Sequence, residues 1–79
     1  MNLRDRDQEL LRAFGRAVRR ERAIQEISQE RLAAQTGLFP QHISRIERAA
    51  VDVRLTTLVR LAEALGVTVG RLVEGGDER

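Results

Sequence analysis

A chain of seventy-nine residues with a net charge of +2 and no cysteine makes one small domain, 1–79, with a thin core and no disulfide or thiolate metal site. The charged start Met1-Asn2-Leu3-Arg4-Asp5-Arg6-Asp7 argues against a secretory signal, and no run approaches the ~18 apolar residues of a membrane span, so a reducing cytoplasm is the expected location. All fourteen basic residues are arginine and tyrosine is absent, so the net charge measures basicity better than the nominal pI of 10.9; a nucleic-acid partner is compatible with it but not demanded.

Leu10, Phe14, Ala17 and Val18 fall at i, i+4, i+7 and i+8, one apolar stripe of a helix expected over about 5–22 or slightly beyond. Arg12, Arg16, Arg19 and Arg20 lie off that stripe and read as a solvated face. Ser28 is an expected N-cap for a second helix over about 29–35, with Leu32 and Ala33 inward and Thr36-Gly37 as its end. Pro40 suits the first turn of a third helix, about 40–47, with Ile43 and Ile46 inward. Leu55, Leu58, Leu61, Ala62 and Leu65 mark a fourth, about 54–65, stopped by Gly66. Thr68 caps a short fifth helix, about 69–73, and the tail from Gly75 is expected to fray. Strand signals are nearly absent, and the fold class is all-α with five helices.

The segment from Gln29 to Ile46 carries the most information. Two short helices joined by a turn of about four residues need a small residue for close approach, a permissive residue for the reversal and apolar residues to bind them together. Ala33, Gly37 and the set Leu32, Leu38, Ile43 and Ile46 meet those needs at compatible spacings.

The residues Ser28-Gln29-Glu30-Arg31-Leu32-Ala33, Gly37-Leu38 and Ile43-Ser44-Arg45-Ile46-Glu47-Arg48 resemble the Cro/C1-type (XRE) helix-turn-helix family. The likeness continues through Leu55, Leu58, Leu61-Ala62 and Leu65-Gly66-Val67 to Leu72, and the short length and Phe14-Gly15-Arg16 are most similar to the controller proteins of restriction–modification systems. The resemblance implies a five-helix lambda-repressor-like DNA-binding domain, its helix-turn-helix at about 28–47, acting as a transcriptional regulator on double-stranded DNA. Four positions depart from the family pattern. Glu26 and Ala49 stand where glycine is usual, and Phe39 and Arg54 where a capping residue is usual, with Asp52 a candidate replacement cap for the fourth helix.

In such docking the third helix enters the major groove. Arg45 and Gln41, four apart on one face, are the expected base readers, since arginine suits guanine and glutamine suits adenine. Ser44 is a weaker candidate for a base or phosphate; His42 either joins them or is a half-exposed packing residue. Gln29, at the start of the second helix, Arg48 and Arg54 are the expected phosphate contacts. A carboxylate at Glu47 would repel phosphates; the resemblance pairs it instead with Arg22 as a structural ion pair. A homodimer is expected, because one recognition helix covers few base pairs, and part of the set Leu65, Val67, Val69, Leu72 and Val73 within 65–74 is assigned to its interface, the rest to the core. No metal, cofactor, small-molecule effector or membrane is expected. A lone histidine and the lack of a phosphate-cradling glycine loop speak against an enzyme. An antitoxin or other protein-interaction module of the same fold is the alternative.

Overall fold

In the computed structural model, which describes residues 3–74, five helices follow one another without a strand among the described residues: α1 (Leu3–Ile24), α2 (Gln29–Thr36), α3 (Pro40–Glu47), α4 (Leu55–Leu65) and α5 (Val69–Val73). The expected fraying tail from Gly75 lies outside the described residues. Side chains from all five helices meet in one core. Val18 of α1, Leu32 of α2, Ile43 and Ile46 of α3, Leu61 of α4 and Leu72 of α5 are its fully buried members, and their transfer from water is the main stabilising term.

The α1 stripe is inward from Phe14 onward, with Ala17 and Val18 wholly buried, but Leu10 is 48% exposed. Periodicity places Leu10 on the correct face, yet residues 4–7 and 9–10 are exposed because the packed helices cover the later turns of α1. The stripe also carries Glu21, which is buried and accepts a 2.8 Å bond from Nε of Arg71, tying α1 to α5. Gly15 supplies a close approach: a Cβ there would lie 2.6 Å from the carbonyl oxygen of Ile46 and 2.7 Å from that of Glu47. The backbone of α1 thus rests directly on the C-terminal end of α3.

Local chemistry sets the helix boundaries. Ser28 Oγ accepts from Arg31 N–H and Thr68 Oγ1 from Arg71 N–H, each at 3.0 Å, capping α2 and α5. Phe39 and Arg54 precede α3 and α4 without any side-chain cap. Asp52 does not fill the second vacancy: its carboxylate accepts from Val53 N–H at 2.8 Å. The ends of α1 to α4 share one closing device, in which an N–H bonds back to the carbonyl five residues earlier: Ile27 to Arg22, Leu38 to Ala33, Ala50 to Arg45 and Val67 to Ala62, at 2.9–3.1 Å. The device needs a left-handed residue just before that N–H. Gly37 and Gly66 fill the role for α2 and α4, but Glu26 and Ala49 fill it for α1 and α3, at φ 57° and 59°. Both positions where glycine is usual in the resembling family are therefore strained backbone here.

The set from Leu65 to Val73, expected to be shared between an interface and the core, divides by burial. Leu65 and Leu72 are buried in the protomer's own core, while Val67 and Val69 pack partly against it. The turn at Gly66 folds α5 back across α1 and α4, so these leucines face inward. Val73 is the exposed member, and Leu55 and Val59 of α4 present further apolar surface.

Candidate nucleic-acid interface

Helix α3 is held by its inner face and by its last turn. Ile43 and Ile46 are buried. Glu47, its side chain 5% exposed, accepts from Arg22 Nε at 2.8 Å and Nη2 at 3.1 Å, a two-pronged contact, while Arg22 Nη1 donates to the carbonyl of Ile27 at 3.0 Å. The Glu47 bond holds the Arg22 guanidinium above its usual range, outweighing the opposite effect of burial, so the arginine stays charged. A third donor, Gln29 Nε2, reaches Glu47 Oε1 at 3.1 Å. One carboxylate therefore joins α1, α2 and α3, and its charge is neutralised inside the protein.

This arrangement leaves the main-chain N–H expected of Gln29 where the sequence put it, in the first turn of α2. Its side-chain amide is committed to Glu47, and what it offers an anion is the main-chain N–H in the first turn of α2. Gln41 and Arg45 are exposed on the outer face of α3. Their side chains make no hydrogen bond or ion pair with the described residues. His42 and Ser44 are half-buried beside them. Arg48, just past α3, is exposed and bends its Nε back to the carbonyl of Ser44 at 3.3 Å.

Between the head of α3 and the head of α4 lies an open concavity of about 650 Å³, and Gln41, His42 and Arg45 share it with Phe39, Arg54 and Arg60. Ser44, Arg48 and Gln29 do not line it. Three guanidinium groups against one carboxylate, Asp52, leave the hollow with a positive balance suited to a polyanion, and arginine can grip phosphate or a base edge with two parallel bonds. Sequence reasoning missed Arg60 and gave Phe39 no part beyond a lost cap. Arg60 lies two positions after Leu58 and one before Leu61, off the apolar stripe of α4, and was legible only as a surface charge. Among the described residues no cluster of histidine and acidic side chains could hold a metal ion, and no helix is long and apolar enough to cross a membrane.

The helix-turn-helix family model matches residues 18–72. The chain is 43% identical over 56 residues to the control protein C.SmaI of Serratia marcescens, across 71% of this chain and 67% of that one. The restriction-modification controller protein C.AhdI from Aeromonas hydrophila is similar in structure, with a TM-score of 0.76 at 34% identity over 78% of this chain and 94% of that chain. The clp gene regulator ClgR from Corynebacterium glutamicum gives a TM-score of 0.78 at 29% identity over 85% and 88%. Fold, matched residues and the paired short helices α2 and α3 agree: the chain belongs to the helix-turn-helix family of DNA-binding regulators, of the XRE (Cro/C1) type.

Proposed function

We propose that this protein is a restriction–modification controller: a cytoplasmic homodimer, without catalytic activity, that binds operator DNA by laying α3 in the major groove. The observation that carries the docking is the outer face of α3. It offers Gln41 and Arg45 unengaged, beside Arg54 and Arg60, while the one acidic residue of that helix is neutralised from within. The similarity to C.SmaI and C.AhdI supports the controller role. Arg45 and Gln41 read guanine and adenine edges, with His42 and Ser44 beside them. Arg48, Arg54 and the N–H of Gln29 hold phosphates and set the register. The two copies meet on the apolar surface that α4 and α5 leave outside the core, Leu55, Val59 and Val73 with the outer parts of Val67 and Val69, and present their α3 helices to half-sites about 34 Å apart.

Fluorescence anisotropy of labelled DNA from upstream of the protein's own gene tests the reading. Wild type and Arg45→Ala are titrated against that duplex and a scrambled one at two salt concentrations. The expected result is salt-sensitive binding that prefers the native duplex, with the preference lost in Arg45→Ala. Equal weak binding to both duplexes by the wild type would overturn it.

A further inference from the structure

Phe39 breaks two local rules at one position. It stands at the N-cap of α3, where a side-chain oxygen would bond a free N–H, and makes no such bond. Its ring is also 75% exposed, more than any other large apolar side chain described. An aromatic ring loses the most by staying in water, so both departures are unfavourable in the isolated protein. Pro40 follows, with no N–H to donate. The head of α3 therefore presents a phenyl ring where a capping side chain would present a polar group.

The surroundings decide what the ring is for. It lines the same hollow as Gln41, His42, Arg45, Arg54 and Arg60. An apolar protein surface docking there would bury three guanidinium groups with only the Asp52 carboxylate among the lining to offset them, which is strongly unfavourable. The occupant that fits is a polyanion carrying small apolar groups among hydrogen-bonding ones. The major groove of duplex DNA is such a surface, and its apolar group is the C5-methyl of thymine.

We propose that Phe39 is a specificity-determining residue that selects thymine by packing its ring against the C5-methyl group, next to the bases met by Gln41 and Arg45. The inference rests on the docking of α3 in the major groove. It divides recognition between two chemistries: hydrogen bonds from Gln41 and Arg45, and burial of one methyl group by Phe39.

The test starts from a duplex that the wild-type protein selects out of a randomised pool. Each thymine is then replaced, one at a time, by deoxyuridine, which keeps every hydrogen-bonding group and lacks only the methyl. Wild type should lose roughly three- to tenfold in affinity at one thymine of each half-site, the scale of burying a single methyl group. Phe39→Ala should bind the thymine duplex more weakly by a similar factor and no longer distinguish thymine from uracil there, whereas Phe39→Leu should keep part of the distinction. The exposed ring leaves the thermal midpoint of Phe39→Ala unchanged, measured by circular dichroism. The inference is overturned if no uracil replacement weakens wild-type binding, or if the effect persists undiminished in Phe39→Ala. Failure to enrich any duplex would instead refute the docking of α3 itself, and the inference with it.

Discussion

Glu26→Gly and Ala49→Gly should each make the protein more stable. Both residues sit left-handed at φ 57° and 59° at the ends of α1 and α3, a conformation that disfavours a Cβ by about 1–2 kcal/mol. Glycine removes that term but adds freedom to the unfolded chain, which takes back about 0.4–1 kcal/mol. The net gain is about 0.5 kcal/mol for Ala49, whose half-buried methyl is also lost. Glu26 is exposed and carries a negative charge next to the negative end of α1, so its replacement should gain more, about 1 kcal/mol, with Glu26→Gln reporting the charge part alone. The sites close different helices and share no hydrogen bond, so the gains should add. Together they should raise the melting midpoint by about 6–12 °C in a domain of this size. With no tryptophan or tyrosine to follow, far-UV circular dichroism during heating and urea titration is the assay. The mirror experiment is Gly37→Ala and Gly66→Ala, where a Cβ would meet nothing within 4 Å; the loss there is conformational alone, about 1 kcal/mol. A lowered midpoint for both glycine substitutions, or no loss in the two alanine controls, would refute the strain argument.

Glu47→Gln should lower stability by about 3 kcal/mol, because it leaves Arg22 charged and poorly partnered where its side chain is only 18% exposed; an unchanged urea midpoint would show the clamp to be dispensable. Gly15→Ala should destabilise by about 1–3 kcal/mol, since two carbonyl oxygens of α3 stand closer than a Cβ allows, and Gly15→Ser should be worse in the same thermal scan. Val59→Glu should shift sedimentation equilibrium toward the monomer while leaving the stability of the dilute protein within about 0.5 kcal/mol of wild type, as for an exposed site. An unaltered dimer would move the interface elsewhere.

Most of the helix boundaries were legible because they are local chemistry. Ser28, Gly37, Pro40, Gly66 and Thr68 each act within a few residues of themselves, and the helices start or stop where these residues direct. What periodicity cannot convey is which turns of a helix have a neighbour. Leu10 continues the stripe of Phe14 and is half outside, while Glu21 continues the same stripe and is buried because Arg71 arrives from fifty residues away. Which members of the set from Leu65 to Val73 belong to the core was undecidable for the same reason, since the inward direction of Leu65 and Leu72 depends on how α5 folds back. At the candidate site, Gln41 and Arg45 follow from helical spacing and are exposed as that spacing demands. The commitment of Gln29 to Glu47 and the company of Arg60 and Phe39 depend on how α2 packs on α3 and on where α2 holds α4, which no local pattern states.

The contact at Gly15 separates two properties that could have been linked. The tilt of α3 relative to the body is set where one main chain lies on another, with no side chain between them. The outward positions Phe39, Gln41 and Arg45 take no part in that contact. On the proposed docking, substitutions at those three would therefore rewrite what the helix prefers without altering how it is aimed. A lineage of proteins docking in that way would drift to new binding sequences one exposed residue at a time, each step keeping its docking angle, as long as residue 15 keeps its hydrogen in place of a side chain.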